Sequence, residues 1–266
     1  MARWTIDEPA GITLDKLSEL KVRVVAGHID VIATEDRPRI EVLEVEGPEL
    51  LITEEEGVLT VTYEDLTWEG LMKWLRPRYR RRAALAVMVP PDCRVELGVV
   101  SATAVIAGTG GGVTARAVAG DITLDGVSGE TVVQTVSGDL EARDLSGRLN
   151  FGTVQGDLTI AGGTIEQLYG KTVNSKIMAD VDLADHCRVR LSTLSGFITM
   201  RVAESPGAFV ELRSTSGNVS SAFDELTRSD GPGAASLAGH VGSGTGSVTA
   251  VTVSGDVTLL RREENR

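Results

Sequence analysis

The sequence predicts an all-β chain: a single-stranded β-solenoid on a nine-residue Ser-Gly-Asp repeat, with an N-terminal β cap and one short amphipathic helix. Three observations carry that expectation. Among 266 residues glycine (30) and valine (32) abound while Phe, Trp and Tyr together number 10, a composition of short strands and tight turns. Gly111, Gly120, Gly129, Gly138, Gly147 and Gly156 fall nine residues apart. Around them apolar and polar residues alternate with a period of two, as in a strand with one buried face.

Residues 1–90 read as strands without that beat, hence as a capping region. Lys21-Val22-Arg23-Val24-Val25, the run Arg39 to Val45 and the run Val58 to Tyr63 are the clearest. Glu54-Glu55-Glu56-Gly57 reads as a polar hairpin loop between Leu50-Leu51-Ile52 and Val58. One segment breaks the pattern. Trp68, Leu71, Met72 and Leu75 stand at i, i+3, i+4, i+7, which predicts a short helix over 67–76, capped by Thr67 and stopped before Pro77. It leads into Arg78-Tyr79-Arg80-Arg81-Arg82. Residues 73–82 hold six basic side chains and no acidic one, against a net charge of −12 for the chain. The segment has two readings: a helix over the open solenoid end with arginines on surface carboxylates, or an interfacial anchor on anionic lipid. Trp68, Leu71, Trp74, Arg76, Arg78, Arg80, Arg81 and Arg82 are the candidate contact residues for a membrane or partner.

Residues 91–260 carry the repeat, and 261–266 a polar tail. The module is seen in Val118-Ala119-Gly120-Asp121-Ile122, Val136-Ser137-Gly138-Asp139-Leu140 and Val154-Gln155-Gly156-Asp157-Leu158. Ile122 and Leu124, Leu140 and Ala142, Leu149 and Phe151, and Leu158 and Ile160 are expected inside. So are the residues two before each glycine: Val118, Val127, Val136, Leu145 and Val154. The Ser-Gly pair is the corner. Nine residues are too few to circle a packed interior, so at least two units per coil are expected, a pitch of 18 residues or more, with coils about 4.8 Å apart. The module returns with looser spacing around Gly196, Gly217 and Gly255. Asp92 to Leu97 also resembles His186 to Leu191, which suggests duplication. Whether residues 187–260 continue the solenoid or form a flanking sheet stays open at this level.

Chemistry is sparse. The acidic balance argues against nucleic-acid binding. The start lacks a basic segment followed by an apolar run, no apolar stretch approaches about 18 residues, and two cysteines, Cys93 and Cys187, make no disulfide framework. These features lead to the expectation of a cytoplasmic protein. His28, His186 and His240 have no metal-site spacing, and the serines sit at turns. Gly108 to Gly112 lacks the Lys-Ser/Thr pair and the helix that complete a phosphate loop. No catalytic residue and no cofactor are expected. Asp121, Asp139 and Asp157 stand 18 apart and would stack on one face. They read as solvated turn aspartates, with calcium ligation as the alternative.

The Ser-Gly-Asp-Val corner, the lead-in Val87-Met88-Val89-Pro90 and the Cys-Arg-Val-x-Leu segments beginning at Cys93 and Cys187 together resemble the bacterial putative-adhesin, or toastrack, family of β-strand repeats. The resemblance runs from about Lys21 to Leu260. It implies a stacked-strand fold of unknown function without established catalytic residues, and a link in some members to envelope-stress systems of the phage-shock and Lia type. The expectation is therefore a non-enzymatic, adhesin-like interaction scaffold, peripheral to the inner membrane face, with a protein partner and an anionic membrane surface. Two rivals are a filament-forming structural protein joined through its solenoid ends, like bactofilins, and a polysaccharide-active β-helix enzyme. The short repeat and scarce aromatics disfavour the enzyme.

Overall fold

A computed structural model describes residues 1–64, 81–203, 205–231 and 234–262. Among these residues the regular structure is all β, with no helix. The chain divides into two compact units, Met1–Ser128 and Gly129–Arg266.

In the first unit β3 (Glu19–Ala33) is the reference strand. Its alternation buries Leu20, Val22, Ile29 and Val31 completely. β8 (Arg94–Ala107) runs parallel to it, with Leu20 beside Val95 and Ile29 beside Ala104. Parallel neighbours cannot be joined by a hairpin. The two halves of each long strand instead belong to different ladders, and the chain returns to the first ladder one turn later. β9 (Val113–Ala119) continues the first ladder and β10 (Ile122–Asp125) the second, Val95 pairing with Val113 and Ala104 with Ile122, each partner 18 residues on.

On the other side of β3, β6 (Val58–Tyr63) and β7 (Arg82–Val89) lie parallel to its two halves, and residues 64–81 join them. There the parallel order stops. β5 (Leu50–Glu55) and then β1 (Ala2–Ile6) add antiparallel beyond β6, while β4 (Arg39–Glu46) and then β2 (Ala10–Thr13) add antiparallel beyond β7. The polar loop foreseen at Glu54 to Gly57 is the β5–β6 hairpin turn. Short outer strands of five and four residues, joined through Asp7-Glu8-Pro9, blunt the edges against further pairing. The helix expected over 67–76 lies outside the described residues.

The second unit repeats the scheme with β11 (Ser128–Ser137), β12 (Leu140–Arg143), β13 (Ser146–Gln155), β14 (Leu158–Asn174), β15 (Ile177–Ser195) and β16 (Ile198–Val202). The nine-residue beat is not kept. Leu140 pairs with Leu158, 18 residues on; Leu149 pairs with Leu168, 19 on; Leu168 pairs with Val189, 21 on. Bulges around Glu166 and at Ala184 to Cys187 absorb the surplus. Only the inward side chains must stay in line, so extra residues are accommodated on the outside.

The last turns are laid down out of order. β17 (Ala208–Ser216) and β18 (Val219–Ser221) do not pair with β15 and β16. Between them run β21 (Gly246–Ser254) and β22 (Val257–Arg261), parallel on both sides: Val248 lies beside Val189 and Val210, and Val257 beside Ile198 and Val219. The parallel ladders thus continue through β21 and β22 to β17 and β18. β20 (Ala234–Val241) closes the outer edge of β17 antiparallel, and β19 (Thr227–Gly231) pairs antiparallel with β20.

Past β22, Arg262 is bound across 82 residues of sequence. Its Nη2 and Nε donate to Asp180 Oδ1 at 2.6 and 3.0 Å and its Nη1 to Asp182 Oδ1 at 2.6 Å, while Arg201 also bonds Asp180. The Arg201 hydrogen bond first, then Arg262, hold the Asp180 carboxyl below its ordinary range against the opposing effect of burial. A depressed carboxylate contributes stability above its unfolded-state pKa and loses it as pH falls through the lower folded-state value. The difference in stability between wild type and Asp180→Asn is therefore expected to be about 1 kcal/mol or less at neutral pH and to vanish in acid, as denaturation midpoints against pH will show.

Candidate functional site

Within the second unit the corner where the first ladder hands over to the second concentrates the surface features. Three residues before each corner a hydroxyl points inward: Thr135, Thr153, Thr172, Thr193, Ser214 and Thr252 are all buried. Three of them serve the corner backbone, Thr153 Oγ1 donating to the Gln155 carbonyl at 3.0 Å, Thr193 Oγ1 to that of Ser195 at 3.1 Å, and Ser214 Oγ to that of Gly255 at 2.7 Å, whereas the hydroxyls of Thr135 and Thr172 are buried without a partner among the described residues. This column escaped sequence reasoning, though a hydroxyl three residues before each corner is a readable signal.

That inward hydroxyl corrects one expectation. With Thr135 and Thr153 inside, the next residue faces out, so Val136 and Val154, and Val118 in the first unit, are about half exposed rather than buried. Val127 and Leu145 are fully buried as expected, because they precede the other kind of corner. The two halves of a turn are therefore not equivalent. In register, Val154, Val173, Leu194 and Val253 form an outward apolar column, Leu194 being 54% exposed.

The residue after the corner forms a second column. Asp139 Oδ1 accepts the N–H of Asp157 at 2.7 Å, Asp157 Oδ1 that of Lys176 at 2.7 Å, and Asp256 Oδ1 that of Asn218 at 2.8 Å. Each carboxylate thus caps a backbone donor of the neighbouring turn. Asp121 holds the matching place after Gly120 in the first unit. Among the described residues no three His, Cys, Asp or Glu side chains gather as a metal ion requires. The column changes chemistry at Lys176 and Phe197, the latter 52% exposed. Asp157, Ser175, Lys176, Phe197 and Ser254 line a shallow groove of about 390 Å³ there.

The first unit holds a wider groove of about 850 Å³ walled by Trp4, Leu14, Asp15, Lys16, Glu54 and Pro90. Apart from that groove, His28 of β3 joins Thr103 (Nδ1 to Oγ1, 2.7 Å) and Asp30 (Nε2 to Oδ1, 2.9 Å), a cluster sequence reasoning did not single out. It has the order of a hydroxyl, base and carboxylate, but β3 is paired on both sides by β7 and β8. Its backbone donors are therefore committed to the sheet rather than free to stabilise an oxyanion.

The remaining candidates separate. Arg81 stacks 5.7 Å from the Tyr63 ring, and Arg82 Nε lies 3.9 Å from Glu44 Oε2. Trp68, Leu71, Trp74, Arg76, Arg78 and Arg80 lie outside the described residues. Cys93 is buried, which pushes its thiol up to about 12, and burial raises Cys187 too. Neither supplies a thiolate near neutral pH. Cys93 instead accompanies the Gly108 to Gly112 turn, where Thr109 Oγ1 donates to its carbonyl at 2.9 Å.

The comparison with curated proteins finds no match. Among solved structures the chain is similar to a putative adhesin from Bacteroides fragilis, at 12% identity and a TM-score of 0.48, over 95% of this chain and 97% of that one. It is also similar to a putative adhesin from Parabacteroides distasonis, at 14% identity and a TM-score of 0.42, over 96% of each. Neither likeness carries an argument about what the chain does. The toastrack family model DUF4097 matches residues 12–260. With nearly the whole chain so matched, and its strands stacked in parallel turns, the protein belongs to the toastrack DUF4097 family.

Proposed function

We propose that this protein is a non-enzymatic, adhesin-like β-solenoid scaffold that binds a protein partner through the corner surface of its second unit. The observation that carries the reading is the outward column Val154, Val173, Leu194 and Val253, beside the exposed Phe197. These side chains stand on ladder strands whose backbone is already paired, so little order has to be imposed on binding. An apolar strip with a charged neighbour, Lys176, suits a partner that buries aliphatic side chains within a polar rim. Envelope-stress sensing at the inner membrane face is the setting we propose, on the basic run of residues 73–82.

Two measurements test the halves of this proposal separately. In pull-downs from detergent-solubilised native membranes, Leu194→Ser/Phe197→Ser is expected to lose a specific partner retained by wild type; an unchanged set of proteins rejects the corner surface. Vesicles of anionic and neutral lipid are expected to pellet wild type more than a variant with Arg78, Arg80, Arg81 and Arg82 changed to Gln. Equal pelleting rejects the membrane clause.

A further inference from the structure

We infer that the C-terminal segment Gly246–Arg261 is an exchangeable strand pair, and that a second copy of this chain can supply it in place of the chain's own. The first ground is topological. Among the described pairings β17 reaches only β20 and β21, and β18 only β22, so the β17–β20 array is joined to the ladder of β15 and β16 through β21 and β22 alone. The segment fills a slot with a parallel partner on either side and buries Val248, Ala250, Val257 and Leu259 in it.

The second ground is the way in. β20 and β21 lie on opposite edges of β17, so residues Gly242-Ser243-Gly244-Thr245 must cross the start of that strand. The crossing is close: a Cβ on Gly244 would stand 2.0 Å from the Gly207 carbonyl oxygen. When the same segment comes from a second copy, every ladder contact and the Arg262 pairs with Asp180 and Asp182 are reproduced. The tight crossing is replaced by an extended link between the two chains. Exchange therefore trades only the crossing against association, and concentration decides between them.

The test uses full-length chains. Thr199 and Thr258 are neighbours across β16 and β22, with half-buried outward side chains. Thr199→Cys and Thr258→Cys chains are mixed, unfolded together, refolded over a range of concentrations and treated with a short bismaleimide. The expected result is a dimer by light scattering, growing with refolding concentration, in which a Thr199→Cys chain is linked to a Thr258→Cys chain. Adding Gly244→Ala to both chains is expected to raise the dimer share severalfold at fixed concentration, because alanine disfavours the crossing. A monomer at every concentration overturns the inference. So does a dimer without that link between chains, which would be joined by outer surfaces instead.

Discussion

Replacing Gly156 by alanine is expected to cost the second unit about 3 kcal/mol or more of stability, which denaturant midpoints will show. Gly156 has φ +141°, a backbone state that L side chains rarely adopt and that alone is worth about 1–3 kcal/mol. Its missing Cβ also faces the Gly138 carbonyl oxygen, which would stand 2.0 Å away. That oxygen belongs to the turn before, so the clash cannot be relieved by a rotamer change. The control lies four residues back. A Cβ on Gly152 meets nothing closer than 4.0 Å, so Gly152→Ala is expected to be neutral or stabilising, by up to about 1 kcal/mol. Equal losses at the two positions would refute the stacked-corner account.

Phe151→Ala is expected to cost about 3–5 kcal/mol, the usual penalty for emptying a fully buried aromatic site. Phe151 is 0% exposed and its ladder neighbour is Gly170, which in turn lies beside Leu191. The glycine leaves space that Leu191 takes up; a Cβ there would stand 2.8 Å from Leu191 Cδ2. Gly170→Ala alone is therefore expected to overpack the site by about 1–3 kcal/mol. In a Leu191→Ala background that penalty is expected to shrink, so that double substitution costs less than the sum of its two parts. Strict additivity would show that the two positions do not share space.

The all-β class was legible because alternation in segments such as Ile122 to Leu124 and Leu158 to Ile160 states directly which side chains are inside. The corner glycines were legible for the same local reason. Parity at the corner was not. Val136 and Val127 each stand two before a glycine, yet one is outside and the other inside, because Thr135 takes the inward place only in the first case. The aspartates were visible as a row, but their use as acceptors for Asp157, Lys176 and Asn218 required the register. The position of β21 and β22 between earlier strands was hidden for a deeper reason. Nothing local to Val248 or Val257 distinguishes a neighbour 59 residues back from one 38 back, since the inward residues are alike.

A protein made from its first residue to its last acquires its elements in chain order. Here β21 and β22 belong in the middle of an assembly whose far wall, β17 and β20, emerges earlier. That wall has no seat until β21 and β22 have followed it. Maturation of the second unit is thereby tied to the arrival of these two strands, so a product terminated before Gly246 lacks the means to close its own fold.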